Sequence, residues 1–205
     1  MPASSRGAIR TFIAIDVSPV RQELQGVIAS LQREMAGLPL RWVPVENIHL
    51  TLKFLGDVSP RNLELIQSLL DSEARLYPPF EFGVGTLGAF PNDRHPRVIW
   101  VGVQGPRALF DLYQGIENAL ARLGYPPERR EYQPHLTLAR VARNASADAI
   151  RRIRDILRAH KAKIGYLGSV YVDEIYLYRS DLYPQGPKYT RLHTVRLQGG
   201  ASYVS

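Results

Sequence analysis

The sequence predicts an α+β fold in which two pseudo-symmetric lobes of largely antiparallel sheet, with outer helices, surround a central cleft. Three observations lead to this prediction. Helices are separated by pairs of strands rather than by strict βαβ alternation. One four-residue sequence occurs in each half of the chain, and no Pro-, Gly- or Ser-rich linker separates the halves. We therefore expect residues 1–205 to form one domain built from two similar lobes.

The first half of the chain alternates between strand and helix patterns. Apolar periodicity predicts, in order, a strand over Arg10–Val17, a helix from about Pro19 to Met35, a strand over Asn47–Leu55, a helix from Pro60 to about Leu76, and strands near Phe80–Phe82 and Val98–Val103. The second helix has a clear start, because Ser59 caps free N–H groups and Pro60 lacks the N–H that would be unpaired there.

The second half of the chain resembles the first. Its predicted elements are a helix from Pro106 to Leu123 closed by Gly124, a strand over His135–Val141, a helix from about Ser146 to His160, and long strands near Tyr166–Tyr178 and Tyr189–Leu197. The strand over His135–Val141 and the helix after it repeat the order that follows Asn47.

Composition narrows the class of protein. The chain has no cysteine, which excludes disulfides, thiolate zinc sites and cysteine nucleophiles. No apolar run approaches the ~18–20 residues needed to span a bilayer, and Met1–Ile9 has no signal core, so we expect a cytoplasmic monomer without membrane association. The net charge of +7 favours an anionic partner such as nucleic acid, although a basic protein without such a partner has the same balance.

The informative feature is the duplicated sequence His-Leu-Thr-Leu. It occurs at 49–52 and 135–138, so the two copies lie 86 residues apart (135 − 49). Because side chains alternate along a strand, each histidine shares a face with its threonine while the leucines face the core. Two such strands brought together about a pseudo-twofold axis would line one cleft with two imidazole–hydroxyl pairs.

This set of side chains suits hydrolysis of a cyclic phosphodiester. In-line displacement needs a base at the entering water and an acid at the departing oxygen, and histidine performs either task near neutrality. Thr51 and Thr137 can donate hydrogen bonds to the phosphoryl oxygens where negative charge develops. The pair His49 and His135 is therefore our candidate acid–base couple, with no metal ion and no cofactor required.

The chain resembles the 2H phosphoesterase superfamily, and within it the RNA 2′,3′-cyclic phosphodiesterases, also called 2′–5′ RNA ligases. Beyond the two motifs, the resemblance rests on Arg10–Asp16, Trp42–Gly56, Gly88–Pro91, Arg97–Gly102, Pro134–Arg140, Leu177–Ser180 and Gly186-Pro187. It implies that His49 protonates the leaving oxygen and that His135 accepts a proton from water. The implied substrate is an RNA or nucleotide with a 2′,3′-cyclic phosphate end, the implied product is a 2′-phosphate, and the reverse reaction would form 2′–5′ linkages. Spacing alone does not decide which histidine is the acid.

Two further residues are candidates for binding the phosphate. The resemblance associates Arg140 with the phosphate, but an offset of five from His135 points it away from the cleft unless the strand contains a bulge. Lys53, four residues after His49, falls on the cleft face by alternation, although a solvated lysine at a strand end has the same position.

Tyr132, Tyr178 and Tyr183 are candidates for base stacking, with half-buried packing as the alternative.

The sequence leaves three other interpretations open. Cleavage of ADP-ribose 1″,2″-cyclic phosphate and trimming of RNA 3′ ends are other 2H activities, and a non-catalytic RNA-binding module is the alternative from another class.

The glycines at 83, 85 and 88 match the pattern G-x-G-x-x-G, but the residues after them predict a turn rather than the helix that a dinucleotide site needs.

Overall fold

A computed structural model describes residues 7–199 of the chain. The helices are α1 (Arg21–Glu34), α2 (Pro60–Ala74), α3 (Arg107–Ala121) and α4 (Ala147–Lys161), with short 3₁₀ helices at Ser18–Val20 and Val45–Asn47. The strands are β1 (Ile9–Asp16), β2 (Leu40–Trp42), β3 (His49–Val58), β4 (Phe80–Phe90), β5 (Val98–Gln104), β6 (His135–Val141), β7 (Tyr166–Val172), β8 (Glu174–Tyr183) and β9 (Gly186–Arg196). The interpretation of Met1–Ile9 falls largely on residues 1–6, which lie outside the described residues.

Local sequence signals set the helix ends. Ser59 and Ser146 each cap a helix, with Oγ accepting the N–H of Asn62 at 3.3 Å and of Ala149 at 3.2 Å. Gly124 follows α3 with φ of +87°, a conformation in which a side chain would be strained. The predicted boundaries at these positions are confirmed to within a few residues.

The strands form one antiparallel sheet whose order is nearly symmetric about its centre. The order is β7-β4-β5-β6-β3-β1-β8-β9, with β2 paired to β6. The two motif strands, β3 and β6, lie side by side in the middle, and β1 and β5 flank them. The predicted α+β architecture with two similar lobes is confirmed.

The two lobes exchange elements between the halves of the sequence. The first lobe contains β3, β1, β8 and β9, covered by α2 and α3, and the second contains β6, β5, β4 and β7, covered by α1 and α4. Hydrogen bonds within each lobe link the exchanged parts: His193 of β9 contacts Asp71 of α2 at 2.9 Å, and His160 of α4 contacts Glu34 of α1 at 2.7 Å. The lobes are therefore interleaved, not consecutive in sequence.

Some strand predictions were wrong. The single long strand expected over Tyr166–Tyr178 is two strands that break at Asp173, since β7 pairs with β4 in one lobe and β8 pairs with β1 in the other. The three-residue strand β2 was missed. Strand β4 extends to Phe90 and contains all three glycines at 83, 85 and 88, and it is followed by β5 with no helix between them.

The core lies between the sheet and the helices. The motif leucines belong to it: Leu50, Leu52, Leu136 and Leu138 are all buried. Their burial leaves the opposite face of β3 and β6 for the histidines and threonines. Among residues 7–199, the longest helices have 15 residues, and none combines the length and apolarity needed to cross a membrane.

Candidate active site

The register between β3 and β6 brings the two motifs together. The strands pair at one position, where Leu50 is the partner of Leu136. Continuing this antiparallel register by one residue sets His49 opposite Thr137 and Thr51 opposite His135. Residues directly opposite each other share a face, so all four polar side chains lie on the face away from the leucines. The histidines are diagonal neighbours, a relationship that corresponds to about 7–8 Å in an antiparallel pair.

Both imidazoles are held by the same kind of hydrogen bond. His49 Nδ1 lies 2.8 Å from the carbonyl oxygen of Asn47, and His135 Nδ1 lies 2.7 Å from that of Gln133. A carbonyl only accepts, so Nδ1 carries the proton in each ring. The Nε2 atom of each ring is therefore the one left to exchange a proton with a ligand.

Aromatic rings enclose His49. The Phe12 ring stacks on it with centroids 4.6 Å apart, and Tyr189 meets it edge-on at 5.4 Å. Burial lowers the pKa of His49 to about 4, while the hydrogen bond to Asn47 and the negative charge of Asp16 act in the opposite direction. The ring is therefore neutral near pH 7 in the free protein.

His135 has different surroundings. Phe90 meets its ring edge-on at 4.8 Å, and the Trp100 ring lies at 6.3 Å. Burial lowers the pKa of His135, the hydrogen bond to Gln133 raises it, and the positive charge of Arg140 lowers it further. The nearest charges thus act in opposite directions on the two histidines.

Both motif strands contain a bulge at the same place. Ile13 pairs with Lys53 and Ala14 with Thr51, which leaves Leu52 as an extra residue in β3. Ile99 pairs with Ala139 and Trp100 with Thr137, which leaves Leu138 as the extra residue in β6. Such a bulge exchanges the faces of all following residues. The residue at offset four from each histidine then turns to the core, and the one at offset five turns to the cleft.

This bulge overturns the expected orientation of Lys53. Its side chain is only 7% exposed, and Nζ donates to Glu117 Oε2 at 2.7 Å and to the Pro126 carbonyl at 2.9 Å. Lys53 is therefore not a solvated strand-end lysine, and it lies buried with Glu117 in the wall of the cavity beside Thr51 and His135. Binding of phosphate by Lys53 stays a prediction, and it would require the bond to Glu117 to be broken.

The equivalent bulge at Leu138 in β6 turns Arg140 toward the cleft. Arg140 is exposed, while the preceding Ala139 is buried. The equivalent residue of the first motif is Phe54, whose side chain is 64% exposed on the cleft face. Sequence reasoning missed Phe54, although the duplication contained a signal for it. If Arg140 needs a bulge to reach the cleft, the equivalent strand of the first motif should contain the same bulge. That bulge would turn Phe54 to the cleft.

A cavity of about 790 Å³ opens beside two of the four motif residues. It is bordered by Thr51 and His135, and its other walls include Phe54, Phe90, Pro91, Tyr132, Arg130 and Glu131. Tyr132 stacks on Tyr113 with centroids 3.8 Å apart and donates from its hydroxyl to the Thr51 carbonyl at 3.2 Å. Tyr132 therefore packs in the wall and braces Thr51 in the free protein.

The other two tyrosine candidates differ in exposure. Tyr178 is half-buried, with its ring stacked on Phe12 at 5.2 Å. Tyr183 is 53% exposed in the β8–β9 hairpin. Base stacking by any of the three stays a prediction.

Within the described part of the chain, no three His, Cys, Asp or Glu residues cluster closely enough to hold a metal ion. Independence from metal nevertheless stays a prediction about the reaction.

The family model described as LigT like phosphoesterase matches the chain twice, over residues 15–100 and 101–189. The chain belongs to the LigT-like phosphoesterase family. Each matched segment contains one His-Leu-Thr-Leu motif, and the boundary between them falls inside β5. The family repeat therefore coincides with the duplication seen in the sequence and in the sheet order.

Relatives of this LigT-like phosphoesterase share most of its length. An RNA 2′,3′-cyclic phosphodiesterase of Methanothermobacter thermautotrophicus is 35% identical, over 92% of this chain and 99% of its own. One from Aeropyrum pernix is 37% identical, over 83% of this chain and 95% of its own. The crystal structure of Escherichia coli LigT complexed with 3′-AMP superposes with a TM-score of 0.71 at 27% identity, covering 93% of this chain and 98% of that one.

Proposed function

We propose that this protein hydrolyses the 2′,3′-cyclic phosphate end of an RNA or nucleotide to a 2′-phosphomonoester without a metal ion. The observation that carries the proposal is the register about Leu50 and Leu136, which sets two imidazoles and two hydroxyls on one face. A single phosphorus between the strands can be reached by both histidines.

In the proposed reaction, water attacks the phosphorus opposite the 3′ oxygen. His135 Nε2 takes a proton from the water as the new P–O bond forms. The bond from phosphorus to the 3′ oxygen breaks, and His49 Nε2–H gives its proton to that oxygen. The products are a 2′-phosphate and a 3′-hydroxyl, and a second proton exchange with solvent restores both rings.

Three side chains would stabilise the charge on the phosphoryl oxygens. Thr51 and Thr137 face the same space as the histidines and would donate from their hydroxyls. Arg140, turned to the cleft by the bulge at Leu138, would add a charge-assisted hydrogen bond. Together they would supply the electrostatic assistance that a metal ion provides in many phosphoesterases.

The charges nearest the two histidines favour this division of roles, although burial acts against it at His49. A base must be neutral, and the charge of Arg140 helps to keep His135 neutral. An acid must carry a proton, and the charge of Asp16 favours protonated His49 against the larger effect of burial. A bound cyclic phosphate anion would raise the pKa of His49 further, so this ring would become charged as the substrate binds.

The relatives support the substrate class. Several carry the name RNA 2′,3′-cyclic phosphodiesterase, in archaea and in bacteria such as Thermotoga maritima, which is 33% identical over 94% of this chain. Formation of 2′–5′ linkages is part of the proposal as a reverse reaction, in which a 5′-hydroxyl replaces water at the phosphorus. We also propose that the active protein is a monomer and that it acts in the cytoplasm.

One assay tests the activity directly. Purified protein is incubated with a short RNA ending in a 2′,3′-cyclic phosphate, and the product is identified by chromatography against 2′-phosphate and 3′-phosphate standards. We expect the 2′-phosphate isomer. ADP-ribose 1″,2″-cyclic phosphate and linear RNA, run in parallel, distinguish the other 2H activities, and absence of turnover on all three would leave an RNA-binding module.

The same assay tests independence from metal. We expect turnover to be unchanged after dialysis against EDTA. Loss of activity in EDTA that a divalent ion restores would contradict the proposed mechanism while leaving the substrate intact.

A further inference from the structure

Three arginines lie on the cleft face of the sheet around Tyr189. Arg140 and Arg41 are direct partners across β6 and β2, and Arg10 shares a face with Phe12 on β1, because the two are separated by one residue. We call Arg10, Arg41 and Arg140 the basic rim. All three are exposed.

Two arginines of the basic rim face each other, since the partner of Arg41 across β2 and β6 is Arg140, whereas Arg10 has Asp57 as its partner across β1 and β3. Among residues 7–199, none of its arginines makes a salt bridge, whereas Arg21, Arg107, Arg151, Arg154, Arg179 and Arg196 each do. Like charges directly opposite each other on paired strands are destabilising, and Arg41 and Arg140 are such a pair. Packing therefore gives no reason to place Arg41 opposite Arg140, whereas an anionic ligand does.

The rim extends from the reacting groups toward the β8–β9 hairpin. Arg41 Nη2 approaches Gly186 in that hairpin, lying 4.0 Å from the position of a Cβ atom placed there. The Asn47 side chain, two residues before His49, donates to the carbonyl of Pro187 at 3.0 Å in the same hairpin. Burial raises the pKa of Tyr189, and the charges of Arg140, Arg10 and Arg41 each lower it, which shows that all three act on one ring.

A cyclic phosphate offers one negative charge, which Arg140 alone would match. The geometry points to a further phosphate site: Arg41 and Arg10 bind backbone phosphates of the RNA strand that leads to the cyclic end, so the substrate is an oligonucleotide rather than a free cyclic mononucleotide. This inference rests on the proposed function. It assigns to Arg41 and Arg10 a role in substrate selection, separate from the proton transfers at His49 and His135.

The test compares two substrates of the full-length protein. A tetranucleotide and a mononucleotide, each with a 2′,3′-cyclic phosphate, are assayed with wild type, Arg41→Gln and Arg10→Gln. We expect the ratio of kcat/KM for the tetranucleotide to that for the mononucleotide to fall about tenfold in each variant, as for removal of one charge-assisted hydrogen bond. An unchanged ratio in both variants would overturn the inference.

A matched control separates a specific site from overall charge. Arg75 is exposed at the end of α2, on the helical layer, and makes no salt bridge with any residue in 7–199. The variant Arg75→Gln removes the same charge, and its ratio should equal that of wild type. If Arg75→Gln lowers the ratio as much as Arg41→Gln does, long-range attraction explains the effect and the site is rejected.

Neutral linkages locate the bound phosphate on the substrate side. Methylphosphonate replaces each of the three internal phosphates of the tetranucleotide in turn. We expect at least one replacement to lower kcat/KM of wild type about tenfold and to have little further effect in Arg41→Gln or Arg10→Gln. If the same replacement still lowers kcat/KM about tenfold in Arg41→Gln and in Arg10→Gln, neither arginine binds that phosphate.

Binding provides a readout that does not need turnover. The affinity for a fluorescent tetranucleotide with a 2′-phosphate end is measured by anisotropy across a salt series. Because Arg41→Gln removes one cation that neutralises a phosphate, it should weaken the slope of log affinity against log salt by about 0.7. If wild type hydrolyses neither substrate, the proposed function fails, but this slope still decides whether the basic rim binds RNA.

Discussion

The two copies of His-Leu-Thr-Leu have the same backbone geometry and different neighbours. Each histidine bonds through Nδ1 to the carbonyl two residues before it, and each strand has its extra residue at the second leucine of the motif. The rings differ in what surrounds them: His49 lies between Phe12 and Tyr189, whereas His135 meets only the edge of Phe90 and a more distant Trp100.

The difference teaches that the repeated backbone sets the geometry of the pair, whereas the neighbouring side chains set the chemistry of each ring. Two equivalent imidazoles facing one phosphorus could exchange the roles of acid and base. Asp16, the partner of His49 across β1 and β3, and Arg140, five residues after His135, break that equivalence with charges of opposite sign.

The residues that follow the bulges show the same divergence. At offset four, the first copy has Lys53 buried against Glu117 and the second has Ala139. At offset five, the first copy presents Phe54 to the cleft and the second presents Arg140. The same position after the bulge is thus aromatic in the first copy, where Phe54 lines the 790 Å³ cavity, and basic in the second.

The largest expected effect is the loss of either imidazole. We expect His49→Ala and His135→Ala each to lower kcat/KM by about 10²–10⁴-fold, because each removes one proton-transfer group. The double variant should be little worse than the single ones, since the two rings act on one step. These values are measured with the cyclic tetranucleotide, with circular dichroism as the control for folding. A single variant that keeps full activity would show that its ring takes no part.

The second prediction concerns stability and distinguishes Lys53 from its counterpart Ala139. Lys53→Met leaves Glu117 charged and buried, so we expect a loss of about 3–5 kcal/mol in the free energy of unfolding. Denaturant titration measures this change. The double variant Lys53→Met/Glu117→Gln should recover most of it, because the glutamine stays neutral and its side-chain oxygen still accepts the N–H of Glu128.

A smaller loss in Lys53→Met than in the double variant would contradict the assignment of Lys53 to the core. It would mean that the Lys53–Glu117 ion pair is dispensable in the free protein. Lys53 would then be available for the phosphate, as strict alternation along β3 predicts.

The smallest expected effect is electrostatic and tests the division of roles. In the free protein, both histidines should titrate below pH 6.5 by NMR, His49 near pH 4, because burial disfavours their charged forms. Asp16→Asn removes a negative charge and should lower the pKa of His49. Arg140→Gln removes a positive charge and should raise the pKa of His135. Shifts of the same sign in both variants would show that these charges do not distinguish the rings.

These protonation states also set the pH dependence of the reaction. The active free protein needs one ring charged and the other neutral, so kcat/KM should be bell-shaped with both limbs below pH 6.5. Activity falls at low pH as both rings become charged and at high pH as both become neutral. The kcat profile should lie at higher pH, because the bound phosphate raises the pKa of His49.

The sequence by itself determined most of the secondary structure and the four motif residues. Periodicity and caps depend on neighbours within a few positions, and for this reason α2, α4 and β6 lie close to their predicted bounds. The motif was visible because it is repeated, and alternation correctly separated the leucines from His49, Thr51, His135 and Thr137.

Only the tertiary structure decided which residues surround that motif. The bulges at Leu52 and Leu138 arise from pairing with β1 and β5, and they turned Lys53 to the core and Phe54 and Arg140 to the cleft. Arg41 and Arg10 reach the site through strands about 99 and 130 residues away from Arg140 in sequence. Such neighbours depend on how strands from both halves interleave in one sheet, and no local pattern specifies that pairing.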